Sequence, residues 1–376
     1  MKVLFVCNEY PPYPAGGIGV FTKELAESLS AQCDVYVVGL YNVKETTNES
    51  INGVNIVRIP GRKGGIFNKL FDRIKLYRNV AKIVGNKKID IVECQDFNGF
   101  FAFFPKLKAK FIVRLHGSVS YFYKELKQFG LKSFLWRIIE KSHLLKADYI
   151  VSVSDYTAHA TNELFRLKAK EFSTIHNGVK VDDLYHEVDS LEVKKYIFAG
   201  SIIKKKGICE LIEAWITFSK GKGNVTLDVY GKDIEGLSDI LIKKLELAGI
   251  NNCTFHTPLA KEELVHQIRN SSFFVSPTKA EAFSLAPLEA MACSTLVLYS
   301  NQTSANELIK HSVNGILISS ANVDDIIESL EISYSLDVDT YNKMTLNAYN
   351  DVVGKFNVEE KCIENRAFYQ SVIGVK

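Results

Sequence analysis

No run of eighteen consecutive apolar residues occurs in the chain, so no membrane-spanning helix is expected. No basic, apolar and small-residue leader follows Met1, and a secretory signal is not expected either. The seven cysteines are odd in number, scattered, and never spaced C-x-x-C. That argues against a disulfide scaffold and against a zinc site, and it fits a reducing cytoplasm. The eight histidines form no H-E-x-x-H pattern. A large net charge is missing too, the formal value being +3. Its distribution is uneven. Residues 1–186 carry 27 Lys and Arg against 18 Asp and Glu, whereas residues 187–376 carry 19 against 25. A basic first half attracts anionic partners, whether membrane surface, phosphate or nucleic acid.

What is present suits a soluble α/β protein. Hydrophobic residues make up 47% and charged residues 24% of 376 positions, enough for two domains with cores of their own. Lys2–Cys7 is a short apolar run fit for a parallel sheet. A loop rich in proline and glycine follows and leads into an amphipathic helix with Val20, Phe21, Leu25 and Leu29 on its apolar positions. Asp34–Leu40 then supplies a second strand, completing a βαβ unit. Gly17-Ile18-Gly19 opens a G-x-G, but Thr22 stands at the third glycine position and the loop is too long for a dinucleotide turn.

Residues 61–88 hold nine basic side chains and one acid, Asp72. Phe67, Leu70, Phe71, Ile74, Tyr77, Ala81 and Val84 are expected on one helical face, so the segment suits either a helix docked on the sheet or one lying on an anionic membrane. Further strands are expected at Ile89–Glu93 and Phe111–Leu115, with a buried helix over Phe97–Phe104. His116 follows the second of these strands, at the strand end where doubly wound sheets bind ligands. A charged stretch near 185–193 reads as a linker, and the α/β pattern restarts at Tyr196–Gly200, with a helix from Gly207 to Phe218. Later strands are expected at Leu227–Gly231, Cys253–His256, Ser272–Val275 and Leu296–Leu298, and a terminal helix over Val358–Val375.

Lys279–Cys293 is the most informative stretch. Pro277 ends a buried strand, Glu281 lies on the loop after it, and Ser284 reads as the N-cap of a helix carrying Pro287 in its first turn and Glu289 beyond. The N–H groups at such a helix start form a cradle for phosphate.

This segment resembles the E-x7-E signature of the retaining glycosyltransferases of family 4, the glycosyl transferases group 1. Other stretches resemble the family in the same order: Gly16-Gly17, His116, Asn177-Gly178, Gly200 with Lys206-Gly207, and Asn306-Glu307. Where the family typically has arginine after Gly200, this chain has Ser201, which brings neither charge nor a bidentate fork. Lys204 and Lys205 stand nearby as alternative sources of charge. The resemblance implies the GT-B fold, two Rossmann-like doubly wound domains facing across a cleft, with the C-terminal helix returning to the first. It sets an acceptor-side domain at 1–186 plus 357–376 and a donor-binding domain at 187–356.

The implied activity moves a sugar from a nucleotide-diphosphate donor to an acceptor hydroxyl with retention, in cell-surface polysaccharide or glycolipid synthesis. Glu281, Lys206 and His116 are the expected catalytic residues. Donor contacts are expected from Gly16, Gly17, Ser201, Lys206, Glu281, Phe283, Ser284, Leu285 and Glu289, with Glu281 holding sugar hydroxyls, Glu289 the ribose, and Lys206 the diphosphate. No metal and no separate cofactor are implied. Asp337-Val338-Asp339 has the form of a metal-binding D-x-D but lies outside any strand end. The implied partners are a nucleotide sugar and a glycan or lipid-linked acceptor, with peripheral contact at the inner face of an anionic membrane and no nucleic acid.

Two other classes fit parts of the sequence. Glu281 and Glu289 could form a glycosidase acid pair, whose carboxyls stand ~5–10 Å apart. A non-catalytic nucleotide-sugar-binding subunit would fit the serine at 201.

Overall fold

The protein's structure, a computed structural model, describes residues 1–13, 16–62, 64, 66–167, 171–181 and 185–374. The chain divides into two compact units, Met1–Asn177 with Val358–Lys376, and Gly178–Asn357. The first unit therefore ends nine residues earlier than the 186/187 boundary expected from the linker charges. The intervening segment is bonded into the second unit: the Tyr185 hydroxyl donates to the Asn342 carbonyl at 2.8 Å, and the His186 N–H to the Ser294 hydroxyl at 3.2 Å.

Eight strands build the first unit: β1 (Lys2–Val6), β2 (Asp34–Tyr41), β3 (Thr47–Ile51), β4 (Val54–Pro60), β5 (Ile91–Gln95), β6 (Lys110–Leu115), β7 (Tyr149–Ser152) and β8 (Phe172–Thr174). Their order across the sheet is β3-β4-β2-β1-β5-β6-β7-β8. All pairings are parallel except β3 with β4, an edge hairpin turned at Asn52-Gly53. Alternation along β1 explains why both faces are covered. Val3 and Phe5 enter one core with Leu25, Leu29 and Tyr369, while Leu4 and Val6 enter another with Leu76, Val80 and Phe101. Each such buried side chain contributes about 1.5–3 kcal/mol.

The terminal helix, Val358–Ile373, belongs to this unit; Val375 lies outside the described residues. It is anchored by charge as well as apolar contact. Arg114 on β6, buried, donates to Glu93 on β5 at 2.7 Å and to Asn365 at 2.6 Å, and the Tyr369 hydroxyl donates to Glu93 at 2.7 Å. Removing one partner of such a buried network costs about 3–5 kcal/mol.

Two expectations need correction here. The helix Ile66–Lys87 buries Leu76, Val80 and Val84, spaced four apart, while Leu70 and Phe71 on the expected inner face are exposed; the Phe67 side chain lies outside the described residues. The carboxylate of Asp72 shares the buried stripe and accepts the Arg62 N–H at 2.9 Å. Phe97–Phe104 is no helix beyond the single 3₁₀ turn Phe97–Gly99, because Asn98, Gly99 and Phe103 all have positive φ.

The second unit holds six strands: β9 (Lys194–Ala199), β10 (Val225–Tyr230), β11 (Cys253–His256), β12 (Phe273–Ser276), β13 (Leu296–Ser300) and β14 (Ile316–Ile318). They form one parallel sheet in the order β11-β10-β9-β12-β13-β14. Winding runs one way from β9 to β11 and the other way from β12 to β14. The reversal falls between β9 and β12, and doubly wound sheets bind ligands beyond the strand ends at that point. In the first unit the equivalent reversal falls between β1 and β5.

Candidate functional site

In the second unit, the loops after β9 and after β12 meet at the reversal point. The Lys279 N–H donates to the Lys205 carbonyl at 2.9 Å, and the Thr278 hydroxyl donates to the same oxygen at 3.3 Å. Gly207 makes this approach possible. Its φ is +73°, and a Cβ there would stand 2.0 Å from the Pro277 carbonyl oxygen. No other residue fits. A similar contact supports the start of the β9 loop, where a Cβ on Gly231 would lie 1.8 Å from the Gly200 carbonyl oxygen.

This stitching brings together two of the expected catalytic residues. The ammonium of Lys206 bonds directly to the carboxylate of Glu281, and both side chains are largely buried. Burial alone would push the Glu281 carboxyl up. The adjacent charges of Lys206 and Lys205 outweigh it and hold the group below its ordinary value. Lys205 is the second cation of this pocket, its ammonium drawn down by burial and sustained by Glu281. Lys204 is exposed, with its N–H donating to Glu235 at 3.0 Å, so it serves the loop rather than the site. Ser201, half-buried, begins the same loop.

Ser284 stands at the N-cap of the helix Leu285–Ala292 with extended backbone, but its side chain makes no capping bond. The expected cap is therefore positional only, and the hydroxyl does not compete for the N–H groups of the first turn. Phe283 is buried with its ring 6.0 Å from that of Phe356. Glu289 lies in the body of the helix and pairs with Lys261 at 3.2 Å. Tyr299, at the end of β13, was not expected here: burial pushes its hydroxyl well up, and Glu281 adds to the effect.

The candidates of the first unit lie at the ends of its own central strands. Gly16 is the N-cap of the helix Gly17–Ser30, and the Glu9 carboxylate accepts the Gly19 N–H at 2.8 Å. The anion at this helix start is thus a side chain of the protein itself. A Cβ on Gly16 would come 3.3 Å from Glu9, whereas one on Gly17 would meet nothing.

His116 follows β6, its ring edge-on to Phe21 at 5.1 Å. Burial, aided by Arg114, holds its imidazole down to about 3, so the ring is neutral at physiological pH. The backbone N–H of His116 donates at 2.9 Å to Asp96, a fully buried carboxylate at the end of β5. Burial pushes Asp96 up to about 8 and Glu140 adds repulsion, with the His116 N–H pulling the other way. The second Asp96 oxygen, Oδ2, has no partner among the described residues. Sequence inspection passed over Asp96, although its place after a buried strand, beside the reversal point, marks it as a candidate.

Asp337 caps the helix Val338–Lys355, accepting the Thr340 N–H at 2.7 Å, which accounts for the D-x-D triplet as local capping. Among the described residues no helix is long and apolar enough to cross a membrane.

Two family descriptions match the chain in succession: Glycosyltransferase Family 4 over residues 15–183 and Glycosyl transferases group 1 over residues 187–351. The chain belongs to the family-4 glycosyltransferases. An uncharacterized glycosyltransferase of Methanocaldococcus jannaschii is 26% identical over 380 residues, covering 95% of each chain. Among solved structures, sucrose-phosphate synthase from Thermosynechococcus elongatus superposes with a TM-score of 0.84 at 16% identity, over 100% of both chains. An Anabaena protein in complex with UDP and glucose superposes at 0.75 and 16% identity, over 99% of this chain and 100% of the other. At these identities the likeness establishes the fold, which is GT-B. As a family-4 glycosyltransferase, the protein carries its E-x7-E pair at the reversal point of its second sheet.

Proposed function

We propose that this glycosyltransferase moves a sugar from a nucleoside-diphosphate donor to an acceptor hydroxyl with retention at the anomeric carbon. The observation that carries the reading is the Lys206–Glu281 pair at the reversal point, beside an uncapped helix start. As the anomeric carbon–oxygen bond breaks, negative charge grows on the departing diphosphate. In this reading Lys206 and the N–H groups after Ser284 receive that charge. Glu281, kept ionised by its lysines, accepts hydrogen bonds from sugar hydroxyls. Glu289 does the same for ribose, releasing Lys261. A new bond forms between the acceptor oxygen and the anomeric carbon, and the acceptor proton passes to the leaving phosphate. Lysine charge and helix N–H groups supply the neutralisation that a metal supplies in other transferases, and we assign none. On the first unit, His116 offers a neutral imidazole suited to a sugar hydroxyl. The Anabaena complex with UDP and glucose makes a uridine nucleotide the first donor to test, and the basic first half favours an anionic, lipid-linked acceptor.

A hydrolase would need one carboxyl raised to act as a general acid. Glu281 is instead held low by two ammonium groups, and Glu289 is ion-paired. That favours transfer. A thermal-shift screen of nucleotide sugars, followed by product analysis with an acceptor panel, tests the assignment. A donor that stabilises the protein and yields a new glycoside supports it. Release of free sugar without acceptor would overturn it in favour of hydrolysis, and donor binding without transfer would favour a binding subunit.

A further inference from the structure

The helix Leu131–Lys146 has an apolar stripe on the wrong side for a core. Its inner face is satisfied: Glu140, His143 and Leu144 are buried, and the Glu140 carboxylate accepts the Val119 and Ser120 N–H groups at 2.9 Å each. On the outer face Leu131, Phe134, Leu135, Ile138 and Leu145 recur at helical spacing, and Phe129 precedes them. These six side chains are between 45% and 79% exposed, over a length of ~20 Å. Phe103, 68% exposed, extends the stripe, because its N–H donates to the Ser142 hydroxyl on this helix at 3.1 Å. A soluble surface seldom leaves so much contiguous apolar area bare without a partner.

Charge identifies the partner. From Leu126 to Ala147 the chain has five basic residues and one acid, and that acid is the buried Glu140. Lys127, Lys132 and Arg137 are exposed among the apolar side chains, and among the described residues they form no ion pair. A flat apolar stripe fringed by cations is the pattern that seats in the headgroup layer of an anionic bilayer. We infer that this helix is a membrane-docking surface, with Leu131, Phe134 and Ile138 entering the acyl boundary and Lys127, Lys132 and Arg137 meeting lipid phosphates. It rests on the lipid-linked acceptor proposed above for its purpose, though not for its chemistry. It also replaces the helix Ile66–Lys87, which turns its main apolar stripe into the core.

The test is cosedimentation of the full chain with phosphatidylcholine vesicles, with and without phosphatidylglycerol, in the absence of donor and acceptor. The wild-type protein should pellet with the anionic vesicles and be released by salt. The combined variant Leu131→Ser, Phe134→Ser, Ile138→Ser and the variant Lys132→Glu, Arg137→Glu should each bind at least tenfold more weakly. Melting temperatures and far-UV circular dichroism equal to wild type would show the variants folded, and thermal shifts with UDP would report the donor site separately. Wild-type protein left in the supernatant, equal binding to neutral vesicles, or unchanged binding by both variants would overturn the assignment. So would a wild-type dimer in the ultracentrifuge that the serine variant makes monomeric while vesicles bind neither form, since the face would then be covered by a second copy.

Discussion

Lys206 and Glu281 stand 75 positions apart in sequence and share a hydrogen bond. Each answers the other's charge in a site largely closed to water, so neither can be removed without consequence for its neighbour. In the proposed reaction the arriving diphosphate would compete for an ammonium that Glu281 already holds, with the charge of Lys205 also felt at that carboxylate.

Lys206→Met should leave the Glu281 carboxylate facing Lys205 alone, lowering both stability and donor binding. Lys206→Met with Glu281→Gln removes both charges and should recover most of the stability without recovering transfer. Initial rates should fall by about 10²–10³ in both variants, the scale for losing one charge-stabilising donor. Thermal melts and single-turnover rates measured together check this. If the double variant regained activity, the pair would be structural only.

Gly207→Ala is expected to be among the most damaging small substitutions in the second unit. The new methyl would meet the Pro277 carbonyl oxygen at 2.0 Å on a backbone of φ +73°, forcing the two site loops apart. A loss of at least ~2 kcal/mol follows from the strained conformation and the clash. Urea denaturation would measure it. A control exists in Gly17→Ala, where a Cβ meets nothing and stability should hold.

Much of this was legible in the sequence because buried parallel strands read as short apolar runs bounded by turns. Cys253–His256 and Phe111–Leu115 are where that rule puts them, and Glu281 and Lys206 follow strands whose ends are marked by Pro277 and Gly200. The hairpin strand β3 was not visible, since Thr47-Asn48-Glu49-Ser50 is polar and sits exposed at the sheet edge. Helical phase failed at Leu70 and Phe71 because a helix with apolar residues on several sides does not announce which side the core takes. Glu9 was missed because its importance lies in a contact to Gly19, 10 positions away, which no local pattern records. Asp96 has a local mark, its place directly after a buried strand, but its bond to His116, 20 positions away, has none.

Ser201→Arg should tighten donor binding. The position opens the loop that carries Lys206, and an arginine fork there would add charge-assisted bonds to a diphosphate. One such bond is worth about 1.5–3 kcal/mol, roughly a tenfold to hundredfold change in Kd. Calorimetric titration with the donor found by screening checks this. An unchanged Kd would show that Lys205 and Lys206 already saturate the phosphates.

Asp96 gives the first unit a pH signature. Burial pushes its carboxyl up to about 8 in the folded protein, against 3.8 for an ordinary aspartate. Below about pH 4 both folded and unfolded states hold the proton, and the group contributes nothing to pH dependence. Between about pH 4 and 8 the folded state binds a proton that the unfolded state has lost, so stability falls as pH rises. Above about pH 8 the full cost, on the order of a few kcal/mol, is present. Asp96→Asn keeps an oxygen for the His116 N–H and carries no charge at any pH. Its stability relative to wild type should therefore climb steadily from about pH 5 to about pH 9. Parallel melting curves for the two proteins across that range would show that Asp96 stays ionised, and that its unpartnered oxygen is met by something other than a proton.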